Sequence, residues 1–408
     1  FVIYQIFQRK LRSLKGVDFV FFDVFTHLKN DKDFKSNYWT KLVDIVKKKS
    51  VLWNHIYYRS GIKCNYIYSI KKINLFNRHK PNHNHRLLEQ NLSFKNYLKI
   101  LNNFFKIKKR ARSIVPWILK SFKCNMRGID FSSWIKDDFF DSILGQEALK
   151  NCYFHLLIKK SVEITPNNAR AIYIQEFQPW EIALVYYWKK TKANRIIGMP
   201  HSTHRYWDLR YFFGKSFFSS YNKEILPDQI AVNGMYSYDR CIESGYPKSI
   251  LRPVEALRYI DHPLIPVRNR KIKSKYLNIL ICCDYQLKTS KKIFKIIDKI
   301  LRKGKFKYIL EVRMHPSYPI PHEILNHYNY EINSDELISA FKKADWVITS
   351  NLSAIAVDGY YQGCNVAQLS DGLYFNLSPL RGVIDELLFN SSEELMNKLK
   401  RSKKSNLD

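Results

Sequence analysis

Residues 171–190, AIYIQEFQPWEIALVYYWKK, decide the fold class. Residues 171–175 form a short apolar run of strand length. Pro179 then opens a helix to about Lys190, because proline suits the first helical turn. The next apolar run, 195–199 (RIIGM), reads as a second strand. Strand, helix, strand is the repeating unit of a parallel sheet with helices on its faces.

The same rhythm extends in both directions. Upstream, 16–23 reads as a buried strand bounded by Gly16 and Asp23, 38–50 as a helix and 51–56 as a strand. A basic helical pattern runs from about 90 to 125, and 143–163 reads as one long helix with Ser142 as its cap. Downstream, 229–234 is a strand followed by a helix ending near Gly245. Residues 261–275 hold two prolines and a basic run with little apolar periodicity, and they read as a linker. A fresh alternation follows: strands at 277–283, 308–314 and 346–349, helices at 288–301, 335–343 and 353–362. Two domains are therefore expected, 1–260 and 276–408, both α/β, with a cleft between them.

Composition narrows the function. The 408 residues carry 46% hydrophobic and 25% charged side chains, which excludes whole-chain disorder. Lys and Arg number 68 against 36 Asp and Glu, a net charge of +32. Residues 1–130 alone hold 28 basic and 7 acidic side chains, a net of +21. Basic clusters there, such as 47–49 and 106–112, interleave with aromatic and aliphatic residues. That pattern suits a peripheral face on an anionic membrane, at roughly 1 kcal/mol per basic residue near the surface. It also raises nucleic-acid binding as a competing reading, but no RNA- or DNA-binding motif accompanies the charge. No apolar run reaches the roughly 18 residues of a membrane span. The seven cysteines show no CxxC pair and fit buried thiols of a reducing compartment. The chain opens at Phe1 rather than Met, which leaves open a longer N-terminus.

Ligands of open parallel sheets bind outside the carboxyl ends of the strands, so the polar residues just after each strand are the candidates. Glu176, Gln178 and Glu181 follow 171–175. His201, Ser202, Thr203 and His204 follow 195–199, with Arg205, Asp208 and Arg210 beyond. Asp284 follows 277–283, His315, Pro316 and Ser317 follow 308–314, and Ser350, Asn351 and Ser353 follow 346–349. Glu176 can act as base or nucleophile, or it can cap the helix begun by Pro179. Glu181 suits the helix dipole in any case. His201 can position a carboxylate or move a proton, and Asp208 is a second acid or a partner of Arg205 or Arg210. Residues 349–353 end a strand and open a helix, an arrangement that favours a phosphate. The neighbouring His315-Pro316 loop could reach the same anion. No GxxxxGK[ST], GxGxxG or HExxH occurs, and no metal is expected.

The pairing of Arg313-Met314-His315-Pro316 with residues 344–353 resembles the nucleotide half of two-domain GT-B glycosyltransferases. It is most similar to those using CMP-activated sugars in bacterial capsule and lipopolysaccharide synthesis. Residues 173–181, 197–203 and 226–234 resemble surface-carbohydrate proteins related to the Kdo transferases. The resemblance covers about 170–365. It implies two Rossmann-like domains facing across a cleft (GT-B) and a cytoplasmic protein peripheral to the inner face of the membrane. It also implies transfer of an acidic, Kdo-like sugar from a CMP-sugar donor to a lipid-linked or surface glycan acceptor, with no cofactor. The donor phosphate would lie against His315, Pro316, Ser350, Asn351 and Ser353, and the catalytic group would come from Glu176, His201, Glu181 and Asp208. Teichoic-acid polymerases share a similar His-Pro and Ser-rich arrangement, so a CDP-glycerol or CDP-ribitol phosphotransferase is the alternative. A catalytically dead binding module is a further one.

Overall fold

A computed structural model describes residues 16–26, 33–36, 38–58, 65–80, 82–121, 125–126, 129–130, 132–201, 204, 208, 210–211, 215–218, 224–260, 276–302, 307–315, 319–321, 325, 329–370, 376–384 and 387–404. The chain divides into two compact units. One comprises 1–201 with 213–257, the other 202–212 with 258–408. The expected linker, 261–275, lies outside the described residues, as do Ser202, Thr203, Arg205, Pro316 and Ser317.

The first unit is built on a seven-stranded parallel sheet. Its strands are β1 (Phe19–Phe25), β2 (Val51–Tyr57), β3 (His83–Leu87), β4 (Arg170–Ile174), β5 (Ile196–Met199), β6 (Gln229–Asn233) and β7 (Leu251–Val254). Their spatial order is β3-β2-β1-β4-β5-β6-β7. The order reverses between β1 and β4, which pair in parallel with Phe22 opposite Tyr173. The helices are α1 (Tyr66–His79), α2 (Phe94–Ser121), α3 (Ser132–Leu144), α4 (Gln146–Glu163), α5 (Pro179–Thr191) and α6 (Gly234–Glu243). Strand alternation sends side chains to two cores. Phe22, Leu52, Ala171 and Tyr173 pack with Leu156, Leu157, Leu184 and Trp188 on one face. Phe21, Phe25, Trp53 and Ile174 pack with Trp39, Ile73 and Phe76 on the other.

The second unit has strands β8 (Leu277–Cys282), β9 (Tyr308–Arg313), β10 (Glu331–Ile332), β11 (Trp346–Ser350), β12 (Asn365–Leu369) and β13 (Leu388–Phe389), all parallel, in the order β10-β9-β8-β11-β12-β13. That is the doubly wound order 3-2-1-4-5-6 of nucleotide-binding folds. Its helices are α7 (Leu287–Leu301), α8 (Leu337–Lys343), α9 (Ile355–Tyr361) and α10 (Ser392–Lys404). Helix α7 buries Ile293, Phe294, Ile297 and Ile300, the 3.6-residue stripe of a sheet-covering helix.

The expectation of two Rossmann-like α/β bodies matches these sheets. Three local readings are corrected. The helix expected over 38–50 is a single turn, Leu42–Ile45, because the segment before it is held as a loop by Ser36. The helix expected over 143–163 is two helices broken at Gly145. A Cβ at Gly145 would sit 2.0 Å from Asp141 Oδ1, so this crossing of chain and carboxylate admits only glycine. Ser142 caps nothing: it lies inside α3 and its hydroxyl donates to the Asp138 carbonyl at 2.6 Å. Finally, the helix expected over 353–362 is the shorter α9, which starts at Ile355, whose N–H donates to Ser353 Oγ at 3.4 Å.

Candidate functional site

In the first unit the site lies at the carboxyl ends of the strands flanking the reversal. Ile174 of β4 is opposite Met199 of β5. Glu176 and His201, each two residues further on, therefore leave their strands at matched height. Their side chains meet, with His201 Nδ1 3.3 Å from Glu176 Oε1, and the side chains are 25% and 26% exposed. The pair is thus both preassembled and open to a ligand.

Glu181 takes a different place from the one a reacting acid needs. It is 2% exposed at the third position of α5. Its carboxylate reaches back and accepts the backbone N–H groups of Glu176 (2.9 Å) and Phe177 (2.8 Å). Burial pushes its carboxyl well above the usual range, and those N–H groups oppose the rise. Glu181 thereby ties the start of α5 to the Glu176 loop. Phe177 itself sits at φ 57°, in the left-handed region. Non-glycine residues held there cost about 1–3 kcal/mol and gather at functional loops. Just below the pair, a Cβ on Gly198 would meet Gln175 Oε1 at 2.4 Å, so glycine lets the buried Gln175 cross β5.

Asp208 belongs to the other unit. Arg210 engages it through Nε at 2.9 Å and Nη2 at 2.7 Å, a two-pronged pair. Nearby His204 is 2% exposed and packs its ring 4.2 Å from that of Tyr211, and burial lowers its pKa to about 4.

The second unit places its candidates at its own reversal, between β8 and β11. Asp284 follows β8 and is 3% exposed. Ser350, at the end of β11, donates its hydroxyl to Asp284 Oδ2. The Ser350 hydroxyl is therefore spent inside the protein rather than presented outward. Its carbonyl accepts from Gln368 Nε2 at 2.7 Å, which ties β11 to β12. Asn351 is buried, whereas Ser353 and His315 are half-buried. Burial lowers the His315 pKa, and Asp284 partly restores it. Among the nucleotide candidates, then, His315 and Ser353 keep some exposure, while Ser350 is buried against Asp284.

Sequence reading missed a second cluster in the first unit. Asp23, read as the end of a strand, lies inside β1 opposite His55 of β2. Asp23 is 2% exposed, His55 1% and His85 3%. His55 Nδ1 contacts Asp23 Oδ1, and His55 Nε2 lies 3.1 Å from His85 Nδ1. Trp39 donates its indole N–H to Asp23 Oδ2 at 2.8 Å. The only sequence signal was the alternating His83, His85 of a strand too polar to read as one.

No protein-family model matches the chain, and no curated protein does. Solved structures share its course at low identity. The α,α-trehalose 6-phosphate synthase of Burkholderia multivorans is 8% identical over 95% of this chain and 89% of that one, at TM-score 0.49. The UDP-GlcNAc 2-epimerase of Methanocaldococcus jannaschii is 10% identical over 93% and 91%, at TM-score 0.49. A putative UDP-N-acetylglucosamine 2-epimerase of Listeria monocytogenes is 10% identical over 95% and 88%, at TM-score 0.47. At such identities and scores the likeness concerns chain course, and no activity follows from it.

Proposed function

We propose that this protein is a nucleotide-sugar-dependent glycosyltransferase in which Glu176 and His201 handle the transferred sugar. The observation that carries the reading is their meeting at the ends of adjacent parallel strands, beside the point where strand order reverses. Glu176 acts as base or nucleophile at the sugar, and His201 holds the sugar carboxylate or assists proton transfer. The second unit holds the nucleotide: its doubly wound order, with His315 and Ser353 partly exposed and Ser350 buried against Asp284, suits a phosphate-bearing ligand.

The finer reading is an acidic, Kdo-like sugar carried by CMP and passed to a lipid-linked or surface glycan. It rests on the resemblance of residues 170–365. An anionic membrane partner fits the same reading, with the protein working at the cytoplasmic face. Helix α2 exposes Phe94 (59%), Leu98 (53%), Leu101 (44%) and Phe105 (61%) at spacings of four, three and four. Exposed Lys95, Lys99, Lys106 and Lys109 flank that stripe, a pairing that favours an interfacial position on anionic lipid. Among the described residues no helix is long and apolar enough to cross a membrane.

Calorimetry with CMP, CDP, UDP and GDP tests the nucleotide assignment. Selective binding of CMP is expected. Preference for CDP would favour the polyol-phosphate alternative, and binding of none would remove the transferase reading.

A further inference from the structure

We propose that Tyr38 completes the Glu176–His201 site as a neutral hydroxyl donor to the bound sugar, and that a buried chain of Trp39, Asp23, His55 and His85 aims it. The proposal rests on the transferase reading above and extends it to residues that reading does not use.

Three observations carry it. The first is place. The Tyr38 ring packs edge-on against that of His201, with centroids 4.8 Å apart. β1, which holds Asp23, is the immediate neighbour of β4, which leads to Glu176. Tyr38 is half-buried. The second is fixation. Ser36 Oγ accepts the backbone N–H of both Tyr38 and Trp39, each at 3.1 Å. Trp39, 1% exposed, is pinned through its indole N–H to Asp23. Thr40, the next residue, has φ 35°, and its hydroxyl donates to the Leu257 carbonyl at 3.1 Å. Thr40 and Phe177 are the described non-glycine residues with positive φ, one in each loop that supplies this site. Backbone strain on both sides of one pair of side chains is the mark of loops selected for position.

The third is charge. Asp23 accepts from two ring N–H groups, one on each oxygen. When His55 directs Nδ1–H at Asp23 and accepts at Nε2, His85 donates from Nδ1. In that arrangement every ring N–H of the chain points toward Asp23. The His55 and His85 rings lie stacked at 8°, and that of Trp53 lies at 7° to His85, which leaves little room to reorient. Tyr38 feels the charges of both the Asp23 and Glu176 carboxylates. Burial, then Asp23, then Glu176 and Tyr58 push its pKa up, against a hydrogen bond from Thr26, to about 12. It therefore keeps its proton at any working pH and has that proton to donate to a sugar oxygen or carboxylate.

The test uses the full chain. Tyr38→Phe removes one hydroxyl and should lower kcat/KM for the nucleotide-sugar about tenfold or more, the scale of one lost hydrogen bond, while melting still shows a folded protein. Trp39→Phe and Asp23→Asn should each lower kcat/KM as well, and each should add nothing when combined with Tyr38→Phe, because they act through it. A merely structural role would give additive losses. If Asp23→Asn fails to fold, the Trp39→Phe cycle carries the same test. Long-range 1H–15N spectra of the histidine rings read the chain without any turnover: His55 should carry its proton on Nδ1, and Trp39→Phe should shift that signal. Full kcat/KM in folded Tyr38→Phe, additive losses, or a His55 protonated on Nε2 alone would overturn the proposal. Failure of the transferase reading is distinct, since the unmodified protein would then release no nucleotide from any donor.

Discussion

Glu181 gives the sharpest structural prediction. Its carboxylate holds the loop that carries Glu176, through Glu176 N–H at 2.9 Å and Phe177 N–H at 2.8 Å, both on Oε2, with Oε1 3.1 Å from the first. In Glu181→Gln the amide oxygen can occupy the Oε2 position and accept both N–H groups. Its NH2 then faces the Glu176 N–H, donor against donor, and the charge assistance is gone. A loss of about 1–2 kcal/mol follows. Glu181→Ala removes both acceptors and leaves two N–H groups without a partner, at about 1–3 kcal/mol each, so roughly 2–6 kcal/mol in all. For a body of this size that lowers Tm by roughly 10 °C. The strained Phe177 would relax as its restraint goes, and Glu176 would drift from His201. Calorimetric melting gives the stability, and nucleotide release from a sugar donor gives turnover. The account expects Tm to rank wild type, Gln, Ala, with turnover falling in the same order. Glu181→Ala that melts like wild type and turns over like wild type would refute the positioning role.

Other expectations follow from the same packing. Glu89, 2% exposed, has its carboxyl raised by burial to about 7 from an ordinary 4.5. The folded state then holds a proton that the unfolded state has lost, so stability is full below about 4.5 and falls as pH rises through 7, by about 3 kcal/mol in all. Glu89→Gln should abolish that slope, measured as the difference in denaturant midpoints between pH 4.5 and pH 8. Arg86, 2% exposed, bonds Asn54 Oδ1 at 2.5 Å, but its Nη2 and the Asn54 Nδ2 have no partner among the described residues. The double change Arg86→Met with Asn54→Leu should be neutral or stabilising by about 1–4 kcal/mol, and a loss on urea unfolding would contradict this. His315→Ala and Ser353→Ala should each weaken CMP binding by about 1.5–3 kcal/mol in calorimetry, and unchanged affinity in both would remove the phosphate assignment.

The parallel architecture was legible because its strands are continuous apolar runs, such as 277–282 and 346–350, bounded by amphipathic helices. The meeting of Glu176 and His201 was legible for the same reason: two strands in register bring residues at equal distance beyond their ends together. β3 was not legible. His83-Asn84-His85-Arg86-Leu87 has no apolar period, since its inward positions are satisfied by hydrogen bonds to Trp53, His55 and Asn54 on β2 rather than by burial of carbon. Asp23 was misread for a related reason. A carboxylate after an apolar run reads as a strand end unless its partners, 16 and 32 residues away, are known. The break at Gly145 depends on the approach of Asp141, a tertiary fact that helix periodicity does not carry. Glu181 was placed correctly in the first turn of its helix, but its reach back to the Glu176 and Phe177 N–H groups depends on the course of that loop, with Phe177 at φ 57°, which the sequence pattern does not carry.

The central claim is that Glu176, beside His201, performs sugar transfer from a nucleotide donor. Glu176→Gln keeps the shape of the side chain and removes its charge. The most direct measurement is release of free nucleotide from a CMP-sugar by wild type and by Glu176→Gln, both shown by melting to be folded, with UDP- and GDP-sugars as parallel arms. The account predicts release by the wild type and at least a hundredfold less, about the scale of a lost acid–base group, by the mutant, with nucleotide affinity hardly changed. Near wild-type release by folded Glu176→Gln, or no release by the wild type from any donor, would contradict it.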